Sequence, residues 1–230
     1  MHSFLKQSGF FLVLTLLLVS NVLLAGELEY LDNLPPLIER DLFFGDPQIA
    51  GAQISPDGEY VSFLKPYKEV RNIYVKKRGE AFEKALPVTA DDRPVSGYFW
   101  SQDSRYILYV QDKGGNENYH VYAVDPRAEP EPETGVPSAK DLTPMEDVRA
   151  YIYSVPENTP DKIIVGLNDR DPSYHDVYRV SISTGEKEQE FENTQQIAGF
   201  TFDLNGELQT GFPADRGWGD GNPKVRRRCL

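Results

Sequence analysis

Short stretches of alternating polar and apolar residues recur along the chain in a fixed order. Residues 54–64 read ISPDGEYVSFL and residues 100–110 read WSQDSRYILYV, with Ser, Asp and Tyr at the same offsets. Pro presets φ, Asp bonds nearby backbone and Gly accepts a positive φ, so SPDG predicts a tight turn. The alternation after each turn predicts a strand.

Further strands are predicted after each of these two turns. The predicted third strands of three successive copies carry Tyr at equivalent points, namely Tyr74, Tyr122 and Tyr178. In the first two copies the predicted strands are residues 59–64, 72–77, 85–90, 105–110, 119–124 and 139–144.

Two weaker copies follow. Residues 150–167 predict strand, turn and strand, and residues 175–182 predict the next strand. A fourth copy, IAGFTFDLNGELQTGF, contains the turn dipeptide Asn205-Gly206 and stops early. A four-stranded unit of about 46–56 residues indicates a β-propeller blade rather than a helical solenoid. The predicted fold is all-β, a partial β-propeller of about three and a half four-stranded blades, in which each blade needs neighbours to bury its faces.

Two segments interrupt this repeat, and the pattern stops near the end of the chain. Residues 126–138, PRAEPEPETGVPS, predict a surface loop within the second blade, and residues 31–47 predict one short helical turn after Pro35-Pro36. After Phe212 the strand pattern disappears. Three and a half blades leave a ring open, so we expect the chain to be part of a longer protein, cut or frame-shifted near Pro213.

The first 26 residues have the composition of an export signal. Lys6 precedes an uncharged run that ends at Ala25-Gly26. The alternative is an uncleaved membrane anchor, because the uncharged run is nearly long enough to span a bilayer. We expect a periplasmic or secreted protein, anchored to the membrane if the signal stays. The predicted division is 1–26 signal peptide, 27–48 lead-in segment, 49–212 partial propeller and 213–230 irregular tail.

Composition narrows the partners. The formal net charge is −12 and no basic face stands out in the body of the chain, so nucleic acid is not an expected partner. Hydrophobic residues make up 40% of the chain, enough to support a packed core. Cys229 is the only cysteine, so packing and not an internal disulfide must hold the fold together.

Three segments in this order resemble a known family. LIERDLFFGDPQIAGAQISPDGEYVSFLKPYKEVRNIYVKK, GYFWSQDSRYILYVQDKGGNENYHVYAVDP and VGLNDRDPSYHDVYRVSISTGE are similar to the first blades of the N-terminal propeller of bacterial prolyl oligopeptidase-family serine peptidases. The resemblance implies a C-terminal α/β-hydrolase domain with Ser, Asp and His, and a propeller that admits only short peptides. That second domain is absent from this chain. The alternative is a non-catalytic periplasmic propeller that binds another protein.

No catalytic residue is predicted in the chain. The nucleophile motif G-x-S-x-G does not occur. Of the three histidines, His2 lies in the predicted signal, while His120 and His175 each begin the third strand of a predicted blade. Ser173, His175 and Asp176 are close in sequence, but closeness within one loop is not the geometry of a catalytic triad.

Neither a metal nor a cofactor is predicted. Residues 111–118, QDKGGNEN, lack the alternating acids of a calcium loop and predict a hairpin loop with Gly114-Gly115 at its tip. Residues 166–176, GLNDRDPSYHD, predict a hydrogen-bonded turn in which Asn168, Asp169 and Asp171 cap backbone donors. The alternative for that loop is an ion-pair network near a substrate path.

The remaining motifs receive structural interpretations. Phe99 and Trp100 are predicted core aromatics between blades. GWGDG at residues 217–221 lacks the strand and helix that frame a phosphate loop. KVRRRCL at the end is predicted to be unstructured, with an acidic partner as the alternative.

Overall fold

The computed structural model describes residues 34–45 and 47–213. The chain divides into two compact units, Met1–Asp46 and Pro47–Leu230. In the described part of the first unit, helix α1 (Arg40–Phe44) confirms the predicted helical turn, and the Gly45 amide closes it on the Asp41 carbonyl oxygen at 2.9 Å. No helix within the described residues is long and apolar enough to cross a membrane. The predicted signal and most of the predicted tail lie outside the described residues.

The second unit consists of antiparallel sheets. Three sheets have four strands, in the orders β1-β2-β3-β4, β5-β6-β7-β8 and β9-β10-β11-β12, and β13 pairs with β14. We call the three larger sheets blades 1 to 3. The all-β partial propeller predicted from the repeats is therefore confirmed. The strands are β1 (Ala50–Ile54), β2 (Tyr60–Tyr67), β3 (Val70–Lys77), β4 (Leu86–Pro87), β5 (Tyr98–Trp100), β6 (Ile107–Gln111), β7 (His120–Val124), β8 (Ala139–Asp141), β9 (Ala150–Ser154), β10 (Lys162–Asp171), β11 (Tyr174–Ser181), β12 (Lys187–Phe191), β13 (Ile197–Phe202) and β14 (Leu208–Pro213).

Most strand bounds lie within two residues of the predicted ones, and the larger differences concern β2, the fourth strands β4 and β8, and β12. β2 continues three residues past Leu64, because Lys68 and Glu69 form a tight turn with positive φ and keep it paired with β3. The fourth strands β4 and β8 have only two and three residues, shorter than predicted. β12, with sequence KEQEF, was not predicted, because four of its five residues are exposed and carry no apolar alternation.

The repeated turns make the same hydrogen bonds. In blade 1 the Ser55 hydroxyl donates to Asp57 Oδ1 at 2.5 Å and accepts from the Tyr60 amide at 2.9 Å. In blade 2, Ser101 makes the equivalent bonds to Asp103 and Tyr106 at the same distances. Ser, Asp and Tyr recur at these offsets because together they close one turn.

Neighbouring turns are also joined across blades. The Asp57 amide donates to the Ser104 hydroxyl of the next blade at 2.8 Å. The Glu157 amide in blade 3 donates to the Leu204 carbonyl oxygen at 3.0 Å, in the turn between β13 and β14. The copies therefore contact their neighbours through the element that they repeat.

Apolar clusters fill the spaces between blades. The strand β10 illustrates the principle, since Ile163, Val165 and Leu167 pack with blade 2 while Ile164 packs with Phe200 of β13. Alternate residues of a strand point to opposite faces of its sheet. One blade thus supplies one side of two clusters, and the expectation that a blade cannot bury its faces alone is confirmed.

The predicted core aromatics lie at these junctions. Trp100 belongs to the cluster between blades 1 and 2, and Phe99, on the opposite face of β5, packs against the cluster between blades 2 and 3. The Trp100 indole N–H donates to the buried Ser62 hydroxyl at 2.8 Å. The Tyr98 hydroxyl lies 3.0 Å from the same oxygen, and burial raises the Tyr98 pKa to about 12. The prediction for both aromatic residues is confirmed.

The predicted surface loop, residues 126–138, connects β7 to β8 without a strand of its own, as expected. It reaches blade 1, where the Tyr67 hydroxyl donates to the Thr134 carbonyl oxygen at 3.1 Å. The loop therefore bridges two blades along the outside of the sheets.

Candidate functional site

The strand order gives the row of blades two different faces. We call the face that carries the β1–β2, β5–β6, β9–β10 and β13–β14 connections the turn face. The opposite face carries the β2–β3, β6–β7 and β10–β11 hairpin loops and the segments that cross from one sheet to the next, and we call it the loop face. In a closed propeller the first strands of the blades line a central channel, and the loop face would border one mouth of such a channel.

A cleft of about 610 Å³ lies at the loop-face end of blade 2. Its walls come from the crossing segment before β5, from β5 and β6, and from the residues that precede β7. The lining side chains are mixed aromatic and polar: Arg93, Tyr98, Phe99, Tyr109, Gln111, Asp112 and Tyr119. Concave sites with aromatic walls and few polar groups are typical of ligand sites.

Asp112 is the buried acid of this cleft. Its side chain is 1% exposed, and its Oδ1 atom lies 3.1 Å from Nε of Arg93, whose side chain is 49% exposed. The other carboxylate oxygen accepts the Glu117 amide at 3.0 Å. The Gln111 side-chain amide donates to the Arg93 carbonyl oxygen at 3.0 Å and fixes the crossing segment.

Tyr109, which lines the cleft, also contacts the half-buried Asp91. Burial is the main reason that the pKa of Asp91 is raised, and the hydrogen bond with Tyr109 partly offsets it. Burial, followed by the charge of Asp91, raises the pKa of Tyr109 well above its usual range. Asn72 holds this segment in place, because its Oδ1 atom accepts the Asp91 amide at 2.9 Å and its Nδ2 donates to the Asp91 carbonyl oxygen at 3.1 Å.

The loop face of blade 3 carries an ion-pair network. Asp176 is fully buried and accepts two hydrogen bonds of 2.8 Å from Arg170, one to each carboxylate oxygen. Asp176 also accepts a hydrogen bond from the Asn193 amide at 2.7 Å, which holds the segment before β13 against blade 3. Burial alone would raise the pKa of Asp176, but the bonds from Arg170 and Asn193 together lower it. The bond to Asp176 raises the pKa of Arg170 further above its usual range.

At the junction of blades 2 and 3, one arginine lies against two tyrosines. The Arg149 guanidinium carbon is 5.2 Å from the Tyr119 ring centre and 5.1 Å from that of Tyr151. The Tyr151 ring in turn lies 4.7 Å from the His175 imidazole. Arg149 Nε and His175 Nε2 are both buried and have no hydrogen-bond partner among the described residues. Burial, and then the charge of Arg149, lower the pKa of His175.

Ser173, His175 and Asp176 do not form a triad. His175 and Asp176 are adjacent on β11 and therefore point to opposite faces of the sheet. Asp176 binds Arg170 instead, and the Ser173 amide donates to Asp171 at 2.9 Å. His120 and His175 lie at the starts of β7 and β11, the third strands of their blades, as predicted. Asp141 contacts Nδ1 of His120 at 2.7 Å.

Residues 166–176 are mostly strand, which corrects the prediction of a loop. β10 extends to Asp171 and β11 begins at Tyr174, because both ends stay paired across a register shift. Asn168 accepts the Arg149 amide at 2.6 Å and Asp171 caps Ser173, so these two caps are confirmed. The predicted cap at Asp169 is wrong, because its carboxylate accepts the Tyr178 hydroxyl at 3.0 Å. The ion pair of the alternative is also present, between Arg170 and Asp176, while a substrate path near it stays a prediction.

The loop of residues 111–118 is a hairpin loop between β6 and β7. Gly114 and Gly115 form its tip with positive φ, which confirms the prediction. Within the described ranges, no three His, Cys, Asp or Glu side chains come together as metal ligands. His2, Cys229, GWGDG and KVRRRCL lie outside the described residues.

Comparison with known proteins identifies the class. No protein-family model matches the chain. It is 39% identical over 193 residues to the dipeptidyl aminopeptidase BIII of Pseudoxanthomonas mexicana, an alignment that covers 84% of this chain and 26% of that protein. It is 26% identical over 178 residues to dipeptidyl peptidase family member 6 of Caenorhabditis elegans, covering 75% of this chain and 23% of that protein.

Among solved structures, the propeller domain of the trilobed protease from Pyrococcus furiosus is similar, with 21% identity and a TM-score of 0.43. The match covers 68% of this chain and 46% of that domain, and is too distant to bear on function.

The described part of the chain is thus similar to the N-terminal propeller portion of prolyl oligopeptidase-family peptidases, as the resemblance of the first blades predicted. The chain spans about a quarter of the length of the two curated relatives it matches.

Proposed function

We propose that this propeller portion screens the substrates of an exported peptidase that releases dipeptides from short peptides. The observation that carries the proposal is the 39% identity over 193 residues to a dipeptidyl aminopeptidase. Such identity over 84% of the chain supports a shared fold for this chain and the aligned 26% of that protein. The whole protein would then join this propeller to a C-terminal α/β-hydrolase domain that supplies the nucleophile.

The screening role follows from steric reasoning. Propeller blades surround a central channel, and a channel narrowed by side chains excludes folded proteins and hinders long chains, whereas short peptides pass. The first strands β1, β5, β9 and β13 are the elements next to that channel. The packed junctions on both sides of blade 2 resist widening, because the apolar clusters that fill them must be exposed for the blades to separate.

The first test is the reading frame after Leu230. The proposal expects a G-x-S-x-G turn followed by Asp and His within about one domain length, roughly 100–250 residues. Unrelated sequence in all three frames, with no hydrolase gene adjoining, would favour the non-catalytic binding module instead.

The second test measures substrate size in the complete protein. Rates of cleavage are compared for a dipeptide p-nitroanilide, a peptide of 20 residues and fully unfolded casein. The proposal expects the rate to fall steeply with length although all three are unfolded. A protease without a propeller provides the control that each substrate is cleavable. Equal rates for the nitroanilide and casein would refute screening by size.

Export is a separate part of the proposal. Its support is Lys6 followed by an uncharged run to Gly26. Cell fractionation and N-terminal sequencing of the accumulated protein measure it, and the expected product lacks the first 26 residues. Leu17→Arg places a charge in the apolar run and should block export. An intact N-terminus in the soluble cytoplasmic fraction would refute export, while an intact N-terminus in the membrane fraction would identify an anchor.

A further inference from the structure

A cation on the loop face lacks an anionic partner. The arginines Arg93, Arg127, Arg170 and Arg179 each pair with a carboxylate. Within the described part of the chain, no carboxylate lies within 4 Å of the Arg149 guanidinium, and this in a protein of net charge −12. The surroundings of this unpaired arginine therefore decide what it can bind.

The surroundings of Arg149 are two tyrosine rings. Tyr119 and Tyr151 come from different blades, and the pairing of the Ala150 amide with the Tyr119 carbonyl oxygen at 2.8 Å brings them together. Contacts of an arginine with ring faces hold the guanidinium in place and leave its N–H edge for a planar acceptor such as a carboxylate. Arg149 is partly exposed, so a ligand can reach it.

Two nitrogen atoms beside the Tyr151 ring lack a hydrogen-bond partner among the described residues. Arg149 Nε and His175 Nε2 are buried and have no hydrogen-bond partner among the described residues, and Tyr151 contacts both side chains. A buried polar atom without a partner costs stability, so two of them around one ring mark a place where a partner is expected. Asp176, the carboxylate next to His175 along β11, is not available because Arg170 holds it.

We propose that Arg149, held by Tyr119 and Tyr151 beside His175, binds a free carboxylate of a peptide ligand at the loop face. Tyr119 also lines the cleft of blade 2, so the carboxylate site adjoins a space of about 610 Å³ that can hold the rest of a short peptide. The choice of a peptide rests on the proposed peptidase function, whereas the affinity for a carboxylate does not. The site would favour peptides with a nearby acidic side chain or C-terminus over neutral ones.

The test follows the side-chain Nε–Hε signal of Arg149 by NMR in the purified full chain. The probes are N-acetyl-glycyl-glycine, which carries a carboxylate, and its C-terminal amide, which does not. One charge-assisted contact at a partly exposed site predicts saturation by the acid at about 1–10 mM and no saturation by the amide. Arg149→Lys, which keeps the charge but loses the planar fork, should weaken binding by at least about fivefold with an unchanged melting temperature.

Arg105 is the matched control arginine. It is exposed, stacks on a single ring, Tyr106, at 5.2 Å, and has no carboxylate within 4 Å among the described residues, but it lies on the turn face. Its Nε–Hε signal should shift less than a fifth as much as that of Arg149. An equal shift at both arginines, or an equal response to acid and amide, overturns the proposal.

Two sources of carboxylate remain distinguishable. If the Arg149 signal responds to the acid in this chain but not in the longer protein, a carboxylate of the remaining domain occupies the site, and the assignment to peptide is wrong. The measurement is also independent of hydrolysis. If the complete protein discriminates substrates by size but the Arg149 signal does not respond to the acid, this inference alone is wrong. If the Arg149 signal responds to the acid but the complete protein does not discriminate by size, only the proposed screening is wrong.

Discussion

The turn face and the loop face are built on opposite principles. On the turn face, Ser55 and Ser101 close the same turn with the same bonds, and a hydrogen bond joins neighbouring turns. On the loop face the blades differ, because blade 2 carries an open aromatic cleft and blade 3 a bidentate ion pair. The repeated serine turns hold neighbouring blades together, whereas the loop-face features that differ between blades are available for binding a ligand.

The largest expected effect comes from the loop face. Asp176→Ala removes a buried carboxylate and leaves the Asn193 amide without its acceptor, so we expect a loss of about 2–3 kcal/mol in the free energy of unfolding, measured by denaturant titration. Glu192→Ala is the control, since this side chain is 57% exposed and 3.8 Å from Arg170, and its loss should be within about 0.5 kcal/mol. Equal costs would mean that the network does not stabilise the crossing segment.

Next is a glycine of the turn face. Gly206 has φ of +78°, and a Cβ there would lie 2.5 Å from Pro156 Cγ and 2.8 Å from Ile164 Cδ1. Gly206→Ala should cost about 2 kcal/mol through left-handed strain and the clash with blade 3. Gly199→Ala, at a site of β13 with open space and no positive φ, should change stability by less than about 1 kcal/mol. A neutral Gly206→Ala would show that β13 and β14 do not pack on blade 3 as described.

The two copies of the serine turn offer an internal comparison. Ser55→Ala and Ser101→Ala each leave one strand amide without its side-chain acceptor, at Tyr60 and Tyr106, and each should cost about 1 kcal/mol. The melting temperatures of the two variants should therefore agree closely. Ser173→Ala, at an exposed site of the loop face, is the neutral reference. A large difference between the two copies would contradict a shared structural role.

The smallest effect is a pH dependence at the junction of blades 2 and 3. Burial and the charge of Arg149 lower the pKa of His175, so its neutral form stabilises the fold above the ordinary histidine value. That stabilisation is lost as the pH falls through the lowered pKa, because the unfolded chain takes up the proton first. From pH 7.5 to 5.5 the wild type should lose more stability than His175→Gln, whose residue does not titrate. Parallel stability curves would contradict the lowered pKa.

Sequence reasoning captured the turn face because its signal is local. Ser, Asp and Gly or Ser fall within four residues of one another, and the bonds they make are within the same turn. Because these residues recur once in each unit of about 46–56 residues, the sequence predicts a blade of four strands. The same reasoning missed β12, because KEQEF is an outer strand that buries little, and alternation is visible only where one face is apolar.

The loop face was harder to predict because its contacts are long-range. Tyr119, Arg149 and His175 are separated by 30 and 26 residues along the chain and meet only when blades 2 and 3 stack. From the sequence, the pair of Arg170 and Asp176 is only one alternative for residues 166–176, because a loop does not fix which side chains face each other. A correct extent for β10 would have shown that both residues flank one short hairpin.

The turn of blade 2 departs from that of blade 1 at one point. Gly58 stands at the last position of SPDG with φ of +74°, and Ser104 stands there in blade 2 with φ of +59°. A positive φ is less favourable for serine than for glycine. The Ser104 hydroxyl, however, accepts a hydrogen bond from the Asp57 amide of blade 1. This difference fixes the order of the two blades. If blades 1 and 2 exchanged places, the serine hydroxyl would no longer face the amide of the preceding turn, and the hydrogen bond between the blades would be lost.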